Sequence, residues 1–98
     1  MGKLYWVYIL KCSDNSYYTG STSNLERRID EHKNKKFTSY TSTRLPIKLM
    51  FSQEFHTPQE AIESERKIKH WTRKKKEALI KGDFEELKLY SKKINWNK

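Results

Sequence analysis

From Leu4 to Leu10 the chain reads Leu-Tyr-Trp-Val-Tyr-Ile-Leu, then Lys11 and Cys12, with apolar side chains on both parities. Such a run of β-branched and aromatic residues predicts a strand covered on both faces. Ser13-Asp14-Asn15-Ser16 is turn chemistry, and Tyr17-Tyr18-Thr19 resumes strand composition up to Gly20, so the first twenty residues predict a hairpin. Parity leaves the relation of its two tyrosines open. A two-residue loop would set Tyr18 on the face opposite Tyr8, whereas an odd loop or a bulge would bring both to one face.

The period then changes. Ser23 with Glu26 three residues on forms a capping-box pattern, and Leu25, Ile29 and His32 recur at helical spacing up to about Lys33. Asn34 to Pro46 is polar throughout and predicts a long loop carrying Phe37, Tyr40 and Arg44; loops of this length in small domains are usually functional or mobile. Ile47 to Phe55 predicts a third strand. Thr57-Pro58-Gln59-Glu60 supplies an N-cap, a proline at the first helical position and a capping glutamate, for a helix reaching about His70. Another helix is predicted from Thr72 to Lys81, stopped by Gly82, with a restart capped by Asp83.

The order β-β-α-β-α-α, with a last helix beyond Asp83, predicts an α+β fold: a small three-stranded, mainly antiparallel sheet flanked by helices. Residues 1–82 would form the domain. Residues 83–98 would add a helical extension packing Phe84, Leu87 and Tyr90 on it, with a frayed tail.

Composition narrows the function. A chain of 98 residues buries about two-thirds of its unfolded surface, enough for one core, so any site must be a surface cleft. A net charge of +9 attracts polyanions, with nucleic acid as the first candidate partner. No apolar run approaches the ~18 residues that span a bilayer, so a membrane role is not expected and a cytoplasmic location is. Cys12 is the single cysteine, which excludes an intrachain disulfide and a cysteine-rich zinc site. The chain carries neither a Walker nor a Rossmann glycine pattern, so no small-molecule cofactor is expected.

Three features break the amphipathic pattern. Glu65 falls on the Ala61/Ile68 stripe of its helix, where an ionised carboxylate must reach out, pair with a cation such as Lys69, or hold a metal. Arg28, selected over Arg27 by its spacing from Leu25, and His32 flank the inward stripe of the first helix. Arg28 could cover apolar surface with its stem or grip a phosphate with its planar guanidinium, and His32 could equally be a core-edge histidine. Between Arg66 and Lys76 stand seven basic residues and no acidic one, around His70 and Trp71. That run reads as a phosphate-contacting face with an aromatic for stacking, or as a solvated helix with Trp71 in the core.

The hairpin resembles that of the GIY-YIG endonuclease superfamily. Trp6-Val7-Tyr8 stands where that family has Gly-Ile-Tyr, and Tyr18-Thr19-Gly20 where it has Tyr-Ile-Gly. Thr22 to His32 resembles the helix carrying its active-site arginine and a histidine four residues later. Ala61-Ile62-Glu63-Ser64-Glu65 resembles the stretch whose glutamate binds its metal. Tyr40-Thr41, Arg44 and Pro46 are similar to those of a short stand-alone bacterial branch, and Trp6 in place of the first glycine is the main departure.

The resemblance implies a metal-dependent endonuclease cutting DNA phosphodiester bonds, in repair or on branched or single-stranded DNA. A nucleic-acid-binding module without turnover and an RNA-directed nuclease are the alternatives. It assigns Arg28 to the scissile phosphate, one of Tyr8 and Tyr18 to activating water and the other to orienting it, with His32 as helper, and Glu65 to one Mg²⁺ or Mn²⁺. The surrounding nucleic-acid surface would comprise Arg27, Tyr40, Arg44, Lys67, Lys69, Arg73, Lys74 and Lys75. A partner protein or a homodimer would supply target specificity.

Overall fold

The hairpin sets the frame of the molecule. In the computed structural model, which describes residues 3–34 and 40–82, strand β1 spans Tyr5–Lys11 and β2 spans Tyr17–Thr22, antiparallel, with Lys11 opposite Tyr17 and Tyr8 opposite Gly20. Residues 12–16 connect them, held by Cys12 N–H to the Ser16 carbonyl, with Asn15 in the left-handed conformation that its short polar side chain tolerates. The connection is odd in length. Tyr18 therefore lies opposite Leu10, on the same face as Tyr8, which answers the parity question that the sequence leaves open.

Helix α1, Leu25–Lys33, starts one residue later than the Ser23 pattern predicts. Asn24 is the cap: its side-chain oxygen accepts from the Arg27 N–H at 3.1 Å, while its own N–H donates to Thr22 Oγ1 at 3.1 Å and Ser23 stays exposed. Asparagine caps as well as serine, and the further hydrogen bond of the Asn24 N–H to Thr22 decides between the two. The chain then makes a short 3-10 turn, Tyr40–Thr43, before β3, Lys48–Phe55.

β3 pairs antiparallel with the other side of β1, giving the order β2-β1-β3. Ile9 faces Phe51 and Leu10 faces Leu49, so Met50 is an extra residue in β3. This bulge turns Leu49 to the same face as Leu10 while Phe51 stays with Ile9.

Helix α2, Pro58–Lys69, begins as the sequence predicts, with Thr57 Oγ1 accepting from the Glu60 N–H at 3.2 Å. Helix α3, Arg73–Lys81, is capped by Thr72 and ends at Gly82, whose φ of 75° suits a residue without Cβ. The expected extension over 83–98, and Phe37 in the loop, lie outside the described residues.

Both faces of β1 are covered, as its sequence predicts. Val7 and Ile9 pack with Ala61, Ile68, Trp71, Ala78 and Leu79 from α2 and α3. Tyr8, Leu10 and Cys12 pack with Ile47 and, at the margin, Tyr18, Leu25, Ile29 and Leu45 under α1 and the loop. Among the described residues no helix is long and apolar enough to cross a membrane.

Candidate active site

Tyr8 is wholly buried, and its hydroxyl lies 3.0 Å from His32 Nε2. Two residues along the face, and across the sheet, Tyr18 brings its ring to 6.3 Å from that of Tyr8 and 5.2 Å from the His32 imidazole, the latter edge-on. The strand pairs the tyrosines and the third turn of α1 sets the histidine between them. His32 is also buried, so it is no mere core-edge residue: its Nδ1 lies 2.7 Å from Thr41 Oγ1.

Gly20 makes this packing possible. A Cβ there would stand 2.5 Å from the Tyr8 hydroxyl oxygen and 3.2 Å from the Tyr18 ring. The glycine serves close approach rather than an unusual backbone angle.

Arg28 turns inward relative to Arg27, with side-chain exposures of 40% and 76%. Glu31 accepts from Arg28 Nε at 3.1 Å and lies 3.4 Å from Arg27 Nε, so one carboxylate orients both guanidinium groups. Burial, and after it the neighbouring Tyr18, push the Tyr8 pKa well up, and Glu65 adds to this; the charge of Arg28 and a hydrogen bond from it oppose the rise. Burial and then the Arg28 charge push the His32 pKa down, against a weaker opposite pull from Glu31. At neutral pH the cluster thus holds a protonated phenol against a neutral imidazole.

Glu65 approaches from the other side of the sheet, around edge strand β2. Ser21, one residue past Gly20 and so on the opposite face, donates to Glu65 Oε1 at 2.7 Å, and Lys69 Nζ donates to Oε2 at 3.1 Å. The carboxylate on the apolar stripe is therefore paired with Lys69, the solution that periodicity alone suggests. Its side chain keeps 20% exposure, and the half-exposed Lys69 can swing away. A carboxylate beside a hydroxyl is an all-oxygen donor set suited to a hard divalent cation held otherwise by water and phosphate. No group of three or more His, Cys, Asp or Glu that could hold a metal occurs among the described residues, so the fit rests on Glu65.

The predicted nucleic-acid surface divides. Arg27, Lys67 and Lys74 are exposed, while Lys69 is engaged with Glu65. Tyr40 is 41% exposed and stacks on Tyr18, with ring centroids 6.1 Å apart and planes at 21°, so it extends the tyrosine cluster outwards. Arg44 lies over the Tyr40 ring at 3.9 Å and donates to Asp14 Oδ2 at 3.1 Å and to the Tyr40 carbonyl at 2.8 Å. Its guanidinium ties the loop to the hairpin turn. Arg73 stacks over Tyr17 and pairs with Glu77 at 3.2 Å.

Lys75 departs from the expectation of a phosphate contact. It is 8% exposed, its ammonium 4.2 Å from the centre of the Trp71 ring, and burial pushes its pKa down. Helical phase turns it inward, and Trp71 is a core residue rather than an exposed stacking platform. Sequence reasoning gave no role to Ser21, Glu31 or Thr41. Strand alternation next to Gly20 offered a signal for Ser21, but nothing separates Thr41 from the other hydroxyl residues of its loop.

A tyrosine-lined hairpin, an inward arginine on the next helix and a glutamate on a later helix agree with the comparison to known families. The GIY-YIG catalytic domain matches over residues 4–78, and the chain belongs to that nuclease domain family. Within it the similarity is to the UPF0213 proteins. The chain is 42% identical over 76 residues to UPF0213 protein YazA of Bacillus subtilis, covering 78% of this chain and 77% of that one. It is 44% identical over 90 residues to UPF0213 protein CPE1444 of Clostridium perfringens, covering 92% and 97%. The solution NMR structure of UPF0213 protein BH0048 from Bacillus halodurans superposes with a TM-score of 0.53 at 40% identity, covering 85% of this chain and 92% of that one. That of EF2693 from E. faecalis gives 0.58 at 36% identity, covering 86% and 92%.

Proposed function

We propose that this protein is a divalent-metal-dependent endonuclease that hydrolyses phosphodiester bonds, with DNA as the favoured substrate and branched or single-stranded DNA in repair as its setting. The observation that carries this reading is the gathering of Tyr8, Tyr18 and His32 into one hydrogen-bonded and ring-packed cluster, with the inward-turned Arg28 one helical turn before His32 and Glu65 held by Ser21 on the edge strand that also carries Tyr18. Packing alone does not call for a buried phenol–imidazole pair with an inward arginine one helical turn away.

Each residue has work in this reading. Arg28, oriented by Glu31, would hold the scissile phosphate through charge-assisted hydrogen bonds that strengthen as negative charge builds in the transition state. Tyr8 would remove the proton of the attacking water and Tyr18 would orient that water. Ionising a phenol outright near pH 7 costs about 4 kcal/mol at ~1.36 per pH unit, and burial makes it costlier here. Tyr8 avoids that cost by passing its own proton to His32 Nε2 as it accepts one from water. Glu65, with Ser21 beside it, would hold one Mg²⁺ or Mn²⁺, which supplies Lewis-acid stabilisation of the departing oxygen when bound. Exposed Arg27, Lys67 and Lys74 would meet neighbouring phosphates.

The test is cleavage of labelled supercoiled, single-stranded and branched DNA at low salt with Mg²⁺ or Mn²⁺ and with chelator, for wild type, Glu65→Ala and Arg28→Ala. Metal-dependent product lost in both variants is expected. Salt-sensitive binding with no product from any substrate would overturn the nuclease reading in favour of a binding module.

A further inference from the structure

Thr41 sits in a short 3-10 turn outside the sheet and the long helices, yet its side chain is completely buried and its hydroxyl meets His32 Nδ1 at 2.7 Å. The opposite ring nitrogen, Nε2, meets the Tyr8 hydroxyl at 3.0 Å. A neutral imidazole carries one N–H, and the nitrogen that bears it sets which way a proton can travel through the ring. The surroundings decide between the two arrangements. The Tyr8 side chain is wholly buried, and the neighbouring charge of Arg28 belongs to a guanidinium that offers no acceptor. The phenol's own O–H then needs an acceptor in a fully buried place, and among the described residues the one within hydrogen-bonding distance is His32 Nε2. The lone pair is on Nε2, and the proton is on Nδ1, where Thr41 Oγ1 accepts it.

We propose that Thr41 is a positioning residue: by accepting the Nδ1–H of His32, it holds the imidazole in the tautomer whose Nε2 can receive the Tyr8 proton. The consequence for turnover rests on the nuclease reading above, whereas the tautomer itself does not.

The turn is pinned where this requires. Arg44 N–H donates to the Thr41 carbonyl at 3.0 Å, and Arg44 Nη1 donates to the Tyr40 carbonyl at 2.8 Å. The Arg44 carbonyl accepts from Ser13 N–H at 2.9 Å, and Asp14 accepts from Arg44 Nε. The hairpin that carries Tyr8 thus also anchors the turn that orients Tyr8's partner. In the reaction, the water oxygen bonds to phosphorus while its proton moves to the Tyr8 oxygen and the original Tyr8 proton moves to Nε2. The bond from phosphorus to the leaving oxygen breaks, and that oxygen takes a proton from solvent. His32 ends as an imidazolium donating to Tyr8 and Thr41, and returns its proton to solvent after product leaves.

The experiment is long-range ¹H–¹⁵N NMR of uniformly ¹⁵N-labelled protein near pH 7.5, with the His32 signals assigned by their loss in His32→Asn, alongside cleavage assays. Wild type and Thr41→Ser should show the Nδ1–H tautomer. Thr41→Val, which keeps the shape and removes the acceptor, should shift His32 toward Nε2–H and lower kcat by at least about tenfold, with Thr41→Ser restoring it. A wild-type spectrum with the proton on Nε2 overturns the proposal whether or not Thr41→Val folds. An unchanged tautomer and rate in a folded Thr41→Val overturns it too. The predicted tautomer pattern with no cleavage by wild type would sink the nuclease reading and leave the assignment of Thr41 standing.

Discussion

Gly20 lies directly across the ladder from Tyr8, and a methyl group at position 20 would stand 2.5 Å from the Tyr8 hydroxyl oxygen and 2.7 Å from the ring carbon that bears it. The Tyr8 ring cannot retreat, because it is fully buried between the sheet and α1 and tied to His32. Gly20→Ala should therefore destabilise the domain by about 1–3 kcal/mol, the usual cost of overpacking, and dislodge the Tyr8–His32 contact. Urea melts with intrinsic fluorescence would check the first effect; unchanged stability would mean that the pocket yields.

Tyr8→Phe and His32→Ala should separate chemistry from packing. The phenylalanine keeps the ring and removes the proton link, so the expected result is loss of cleavage with about 1–3 kcal/mol lost for the buried His32 nitrogen left unmet, and no added cavity. His32→Ala strands a buried hydroxyl and opens a hole, and should cost about 1–3 kcal/mol for the unmet hydrogen bond alone. Paired urea denaturation and cleavage measurements on both variants would show whether the two effects divide in this way.

The depressed His32 pKa makes stability depend on pH in one direction. The unfolded chain takes up this proton near the ordinary value of 6.5, and the native state takes it up only at lower pH. Below about 6.5 the unfolded state binds more protons, so stability falls as pH drops toward the native pKa and levels off beneath it. Urea midpoints between pH 7.5 and 5.0 should decline more steeply for wild type than for His32→Asn. Parallel slopes would place the titration elsewhere.

Glu65→Gln keeps size and hydrogen-bonding capacity while removing the charge. Its ion pair with Lys69 is half-exposed on the lysine side, so the stability change should stay under about 1 kcal/mol. Cleavage should be abolished while binding to DNA in chelator is unchanged or tighter, measured by fluorescence anisotropy. Full activity of this variant would remove Glu65 from the proposed metal site.

Lys74 and Lys75 are neighbours with opposite expectations. Lys74→Ala should weaken DNA binding and flatten the dependence of log K on log salt by roughly 0.7–0.9 if it meets one phosphate. Lys75→Ala should leave that slope unchanged and lower stability instead, by about 0.5–2 kcal/mol, through lost packing on Trp71. Salt titrations of binding, with thermal melts, distinguish the two.

Local rules made much of the molecule legible. The caps at Thr57, Thr72 and Gly82, the both-parity run of β1 and the inward choice of Arg28 over Arg27 follow from hydrogen bonds and periodicities that span a few residues. Asn24 displaced Ser23 as a cap because two good caps stood side by side and a further hydrogen bond chose. Lys75 is the lysine that helical phase turns inward onto Trp71, and a run of lysines hides which one that is.

What the sequence determines by itself is the set of elements, their order and the polar residues that violate the apolar stripes, since these depend on contacts within one turn or one ladder step. What only the tertiary structure decides is the relation between elements: that five residues rather than two connect β1 to β2, that Ser21 meets Glu65 across the sheet edge, and that Thr41 reaches His32 from a loop. Those relations join residues as far as 44 positions apart, Ser21 to Glu65. They depend on how the closed core brings distant side chains together, and no local periodicity carries that information.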